Sequence, residues 1–351
     1  MTANDQTWTV KAILDWCEGY LINKGDTAPR HAAQYLLGEA MGLSRIELYT
    51  NLDKPLSEEE RTTMRAWVAR RGQGEPLQLI CGTVPFRHMV LEVAPGVLIP
   101  RPETEVLVSE VLALFPPPKQ LSAHAFEDLS GGLGQIAGVE DPASEILVVE
   151  LGEVDEGLRG VSQECSDPAD EAGSAPIRAI DLCTGSGCIA CALATEHPQM
   201  EVLALDIAPR ALALAKRNVE AQGVADRVSV RESDLLAAVI TDPKNKGSFD
   251  VIVSNPPYIP SHVVDTLDAE VSEHEPRLAL DGGADGLDLF RNFIDDACTL
   301  LKPGGVLAVE LFEESLDQAL SIALDHGFSE ARIVQDLTNR PRILIARSAF
   351  Q

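Results

Sequence analysis

Positive charge is the scarcest ingredient of this chain. Lys and Arg number 28 against 55 Asp and Glu, a net charge of −27 over 351 residues. Nucleic-acid backbones are held chiefly by cations, so the balance disfavours a polyanionic substrate. Long apolar runs are missing too. Nothing approaches the roughly 18 consecutive apolar residues of a membrane span, and the opening MTANDQTWTV lacks a basic segment running into an apolar core. No membrane association is expected, and the cytoplasm is the expected compartment. Seven cysteines, an odd number without a secretory leader, suit reduced thiols better than a disulfide framework. The histidines form no H-E-x-x-H or similar pattern, so no metal is expected.

What the chain does have is enough hydrophobic sequence, 45%, for two cores. From Thr7 to about Gln73 the pattern is helical. Val10, Ile13, Leu14, Cys17 and Leu21 share one helical face, Pro29 opens a segment carrying Ala32, Tyr35, Leu36 and Met41, and SEEE at Ser57–Glu60 is a capping box. A small all-α helical bundle is expected over residues 1–75. The runs LQLICG and HMVLEVAPGVLIP then read as strands of a linking β-hairpin over 76–100, and PRPETEVLVSEVLALF as a helix with Pro102 in its first turn. Residues 116–176 shift in composition. They hold thirteen acids against Lys119 and Arg159, supplying −11 of the net charge, and read as a mobile surface insertion in which EILVVEL, Glu145 to Leu151, is a possible edge strand.

From Ile177 onward apolar strands alternate with amphipathic helices. The expected architecture over 101–351 is therefore α/β, a Rossmann-like, mainly parallel sheet with helices on both faces. Ligands bind such sheets at the carboxyl ends of the strands. Four ends carry chemistry-bearing residues. DLCTGSGCIA, Asp181 to Ala190, places Gly185, Gly187 and Ala190 as G-x-G-x-x-A between a strand and a helix, a weak signal shared by nicotinamide, flavin and adenosylmethionine proteins. LALD ends in Asp206, able to accept both hydroxyls of an adenosine ribose or to cap the helix begun by Pro209. ESDLL offers Asp234 to an adenine amino group and Leu235 to cover the ring, with a helix cap as the alternative for Asp234. FDVIV ends in SNPPYIP, whose prolines stop the strand but do not account for Asn255 or Tyr258.

Together these ends resemble class I adenosylmethionine-dependent methyltransferases that act on planar amide or amino nitrogens. The likeness narrows with GEPLQLICG (Gly74–Gly82), VLIPRPETE (Val97–Glu105), SNPPYIP (Ser254–Pro260), EPRLALDGGADGLDLFR (Glu275–Arg291) and LKPGG (Leu301–Gly305). This set resembles the release-factor glutamine methyltransferase family over nearly the whole chain, the acidic insertion excepted.

The resemblance implies S-adenosyl-L-methionine as cofactor and, as partner, class 1 peptide chain release factors, methylated on the glutamine of a Gly-Gly-Gln loop gripped by the helical front domain. It places Cys183, Thr184, Gly185, Ser186 and Gly187 around the methionine and ribose, Asp206 on the ribose, Asp234 and Leu235 on the adenine side, and Asn255 between the two sites. VLIPRPETE closes over cofactor and amide. Cys183 departs from the family's usual glycine, and VELFEES from its glycine-containing turn.

A glutamine amide is a poor nucleophile, because its nitrogen lone pair is delocalised. Positioning can supply much of the barrier reduction. The Asn255 side-chain carbonyl can accept one amide N–H and the Pro256 backbone carbonyl the other, while Tyr258 packs on the amide plane and Pro256 and Pro257 rigidify the loop. NPPY would equally suit the exocyclic amine of an adenine in a nucleic acid, but that substrate needs a basic surface. Cys183, Cys188 and Cys191 have the C-x4-C-x2-C spacing of some iron–sulfur proteins, without a nearby fourth cysteine. A noncatalytic binding module is disfavoured because cofactor and acceptor motifs are both intact.

Overall fold

The structure, a computed structural model, describes residues 7–116 and 175–350. Five helices lead: α1 (Val10–Lys24), α2 (Pro29–Met41), α3 (Arg45–Thr50), α4 (Glu58–Arg71) and α5 (Leu77–Cys81). The five residues expected on one face of α1 are all buried, beside Ala32, Leu36 and Met64, in one helical core. At α4 the capping box forms, Ser57 accepting from the Glu60 N–H and the Glu60 carboxylate accepting from that of Ser57.

The LQLIC run corrects the sequence-based expectation. It is helix α5, not a hairpin strand, and Gly82 ends it with φ 82°. The run was ambiguous because the segment joins two cores: Leu77 and Ile80 pack with the helical bundle, whereas Leu79 packs under the sheet. A five-residue apolar run carries too little period to separate the two structures. The antiparallel hairpin is formed instead by β1 (Thr83–Phe86) and β2 (Met89–Glu92). The EILVVEL segment lies outside the described residues.

After α6 (Pro102–Leu114) the alternating elements are β3 (Ile177–Leu182), α7 (Cys188–Glu196), β4 (Met200–Asp206), α8 (Pro209–Ala221), β5 (Val228–Glu232), α9 (Ala237–Ile240), β6 (Phe249–Ser254), α10 (Ser261–Val264), α11 (Ala269–Ser272), α12 (Asp288–Leu300), β7 (Leu301–Glu310), α13 (Leu316–Asp325), β8 (Phe328–Gln335) and β9 (Pro341–Ser348). The seven-stranded sheet runs β5-β4-β3-β6-β7-β9-β8, with β9 alone antiparallel to the other strands. Alternate residues face opposite layers. Ala179, Val251, Val253 and Ala308 meet α6, α7 and α8, while Ile180, Ile252, Leu307 and Val309 meet α12 and α13. Strand order reverses across β3 and β6, the place where an open α/β sheet forms its ligand crevice. Register pairs Leu182 with Ser254, so the residues following each strand, Cys183 and Asn255, emerge side by side.

The helical bundle meets the sheet body through Arg71. Its Nε donates to Asp26 Oδ2 at 2.5 Å, its Nη1 lies 2.9 Å from Glu270 Oε1, and the Arg71 and Asp26 side chains are only 8% and 3% exposed. Removing one partner of a buried pair strands the other charge. Asp26→Ala is therefore expected to cost about 3 kcal/mol in equilibrium denaturant unfolding; a change within error of zero would show the pair to be energetically idle.

Candidate active site

Four strand ends open into one cavity of about 230 Å3. Cys183, Thr184, Gly185, Ser186, Asp206, Asp234, Leu235, Asn255 and Pro257 line it, as do Arg101 and Thr104 from the start of α6. Gly187, Pro256 and Tyr258 stand behind the lining. Gly187 is the N-cap of α7 at φ 81°, and a Cβ there would come within 3.2 Å of the Ala215 Cα on α8. Pro256 is buried and Tyr258 half-buried.

The loop after β3 is held by two carboxylates. Asp206 Oδ2 accepts from the Gly185 N–H at 2.9 Å and its Oδ1 from the Ala208 N–H at 2.9 Å. Ala208, not Asp206, is the N-cap of α8, so this acid shapes the turn ahead of the helix while retaining lone pairs toward the cavity. Asp234 is exposed at the cavity edge, and Ser233 Oγ supplies the side-chain acceptor at the start of α9, meeting the Ala238 N–H at 3.1 Å. The helix-cap alternatives thus describe neither acid.

Asp181 lies beneath the loop, fully buried. Its Oδ2 accepts from Thr184 Oγ1 at 2.5 Å and from the Ala190 N–H at 3.1 Å, and its Oδ1 has no partner. Burial drives its carboxyl up to about 7 against the pull of these hydrogen bonds. Cys183 and Leu235 are both in the left-handed region, at φ 60° and 45°, and both line the cavity. Side chains in that region cost on the order of 1–3 kcal/mol each and persist where surrounding contacts hold them. Glycine at 183 would remove the penalty, so the departure from glycine is a strained one. Burial also pushes the Cys183 thiol up, leaving it a neutral cavity wall. Cys188 and Cys191 are free thiols buried on α7 and packed in the core; Cys188 also lines the cavity beside Cys183, whereas Cys191 does not.

On the acceptor side, Ile259 bridges to Asp281 and brings the DGGADG segment against the backbone of Pro257 and Tyr258. At Gly286, φ 79°, a Cβ would sit 2.2 Å from the Tyr258 carbonyl oxygen; at Gly282 it would sit 2.7 Å from the Tyr258 Cα. These glycines let one chain lie directly on another and hold NPPY in place.

A chain of hydrogen bonds continues from the site into the core. Asn255 Nδ2 donates to Thr104 Oγ1 at 2.9 Å, Thr104 Oγ1 donates to Glu310 Oε2 at 2.8 Å, and the Tyr258 hydroxyl donates to Glu310 Oε1 at 2.8 Å. Glu310 ends β7 with no exposure, and burial raises its carboxyl above the ordinary range. The Tyr258 phenol is pushed well above its usual value by burial and by that carboxylate. Among the described residues, no donor reaches Asn255 Oδ1 or the Pro256 carbonyl. Arg101 makes a two-point contact through Nη2 with Glu275 at 2.9 and 2.8 Å, tying the start of α6 to the segment that brings Leu278 to the cavity.

Sequence reading missed Thr104, Glu275 and Glu310 as individual site residues. Glu310 had a usable signal, an acid at a fifth strand end, whereas Thr104 was indistinguishable from an ordinary first-turn residue.

The donor set suits an adenosyl ligand: carboxylates for ribose and adenine, an apolar cover at Leu235 and Ile207, and a glycine-bearing loop at a helix start. Sheet order and site together define a class I S-adenosylmethionine-dependent methyltransferase. Residues 12–82 match the family model described as PrmC N-terminal domain, and residues 166–274 that described as methyltransferase small domain. A release factor glutamine methyltransferase from Geobacter sulfurreducens is 37% identical over 347 residues, covering 99% of each chain. One from Streptomyces coelicolor is 35% identical, covering 94% of this chain and 95% of its own. Among solved structures, a methyltransferase from Pyrococcus furiosus aligns at 20% identity with a TM-score of 0.38, over 50% of this chain and 76% of its own. The chain belongs to the release factor glutamine methyltransferase family. Among the described residues, no helix is long and apolar enough to cross a membrane.

Two outcomes are expected from this geometry. Gly286→Ala collides with the Tyr258 carbonyl and should lower turnover about 10-fold or more with unchanged S-adenosylhomocysteine affinity, since small misplacements of a reacting geometry are costly; wild-type turnover would show that the glycine contact does not hold the site. For Asp181, the folded carboxyl at about 7 lies above its ordinary value of 3.8, so the folded state binds the extra proton between those values. Its contribution to stability is then greatest in acid and lost as pH rises from about 4 to about 7. Without cofactor, the melting temperature of the wild type should fall relative to that of Asp181→Asn across this window; a constant difference would refute the elevated carboxyl.

Proposed function

We propose that this protein transfers a methyl group from S-adenosyl-L-methionine to the side-chain amide nitrogen, N5, of the glutamine in the Gly-Gly-Gln motif of class 1 peptide chain release factors, acting in the cytoplasm without direct contact to nucleic acid. The observation that carries the acceptor chemistry is Asn255: Thr104 accepts from its amide nitrogen, so its carbonyl oxygen and that of Pro256 are the free acceptors at one strand end. A primary amide brings two N–H bonds to such a pair. The names of the full-length relatives supply the release factor, and the match of the helical front to their N-terminal domain supports a protein substrate.

In this reading Asp206 accepts the ribose hydroxyls, Asp234 the adenine amino group, and Leu235 covers the ring, with Cys183 to Gly187 facing the methionine. When bound, S-adenosylmethionine supplies an electrophilic methyl on a sulfonium sulfur. Asn255 Oδ1 and the Pro256 carbonyl accept the two substrate N–H bonds, aim the nitrogen, and favour the positive charge that grows on it as the methyl arrives. Tyr258, its hydroxyl tied to Glu310, packs its ring against the amide plane. The surplus proton then leaves to water. Adenine-N6 methylation would use the same two acceptors, but a net charge of −27 opposes holding the nucleic acid that carries the base.

Labelled methyl is expected to pass from S-adenosylmethionine to a class 1 release factor and to vanish when its Gly-Gly-Gln glutamine is replaced. Methylation of DNA or RNA with the release factor untouched would overturn the reading. Asn255→Ala should lower turnover about 100-fold or more while leaving S-adenosylhomocysteine binding measurable.

A further inference from the structure

We infer that Thr104 is a positioning residue for methyl transfer, a one-way hydrogen-bond connector through which buried Glu310 fixes which end of the Asn255 amide faces the substrate. The inference rests on the proposed role of Asn255 and adds to it the reason that its carbonyl, rather than its nitrogen, points outward.

An asparagine side chain can present either end at little cost, and only its partners select one. Asn255 presenting Nδ2 to the substrate would confront the substrate N–H bonds with donors and dismantle the site. The selection comes from Glu310. As a carboxylate it accepts only, so the Thr104 hydroxyl, 2.8 Å from Oε2, must spend its single proton there. What Thr104 has left is lone pairs, and the Asn255 group within 2.9 Å that can satisfy them is Nδ2. The Asn255 oxygen is thereby turned toward the cavity. Tyr258 donates to the other carboxylate oxygen, so Glu310 also collects the ring proposed to pack on the substrate amide.

The connector is built to be rigid. Thr104 is 1% exposed and Glu310 0%, so water does not compete for either hydroxyl contact. The charge on Glu310 is opposed by Glu103 and supported by Arg342, with the two hydroxyl donors completing its surroundings. A threonine that served only to fill space in the first turn of α6 would have no need of these two partners of opposite hydrogen-bonding sense.

Thr104→Val keeps the shape and deletes the hydroxyl. With full-length protein, release factor and labelled S-adenosylmethionine, kcat is expected to fall about 10- to 100-fold while S-adenosylhomocysteine affinity stays near wild type; the melting temperature falls as well, because a buried oxygen of Glu310 loses its donor. Thr104→Ser, which restores the donor and acceptor, should recover most of the lost kcat. In Asn255→Ala the connector has nothing to orient, so adding Thr104→Val should produce no further loss. Wild-type kcat in Thr104→Val, no recovery in Thr104→Ser, or full additivity with Asn255→Ala would each overturn the inference. Should the valine variant fail to fold, Thr104→Ala, which introduces no crowding, carries the same expectations. Wild-type turnover in Asn255→Ala would instead remove the role of Asn255 itself, and so is distinguishable from failure of Thr104 alone.

Discussion

Everything in the cavity depends on the pairing of β3 with β6. Their register sets Leu182 against Ser254, and the Ser254 hydroxyl donates to the Leu182 carbonyl at 2.7 Å just where both strands end. Two loops of different chemistry, a glycine turn and an amide followed by two prolines, therefore start from neighbouring points. A slip of one residue would turn every side chain of a strand to the opposite layer. The alternation of Val251 and Val253 against Ile252, each buried in its own core, makes such a slip costly. Hydrophobic packing of the two layers is in this way what holds cofactor and acceptor motifs in contact.

Around that seam the protein buries acids. Asp181, Glu275 and Glu310 are all nearly or fully enclosed, and burial raises the carboxyl of each. Glu275 is ion-paired, to Arg101 at 2.8 Å; the other two are held mainly by hydroxyl and N–H donors. Hydrogen bonds to a carboxylate are stronger and more directional than those between neutral groups. Each buried acid therefore fixes a piece of the site: Asp181 the cofactor loop, Glu275 the segment bearing Leu278, Glu310 the donors near Asn255. Enclosure is costly for stability, but it keeps water from competing for the same donors.

Much of this arrangement was legible in the sequence because its signals are local. Gly185, Asp206, Asp234 and Asn255 each follow an apolar strand directly, and the sheet rule assigns such positions to one crevice. The helical front was legible from residue spacing and from the Ser57 capping box. Local signals also set the limits. LQLIC was misread because its leucines serve two cores, a fact of tertiary placement that no short window contains. The strain at Cys183 and Leu235 was equally invisible, since neither residue type announces a left-handed backbone. Asp206 and Asp234 were open to a capping role until the backbone showed Ala208 at the N-cap of α8 and Leu236 at that of α9.

The contacts hardest to read are those that join separate segments. Asn255 and Thr104 are 151 residues apart, and Thr104 and Glu310 206 apart, yet their three side chains form one hydrogen-bonded row. What brings them together is α6, whose Leu107, Val108 and Val111 pack into the same core as β6 and β7. The helix delivers its first turn to the strand ends as a consequence of burying its apolar face. The orientation of a single amide in the site is thus set by ordinary hydrophobic packing two turns away.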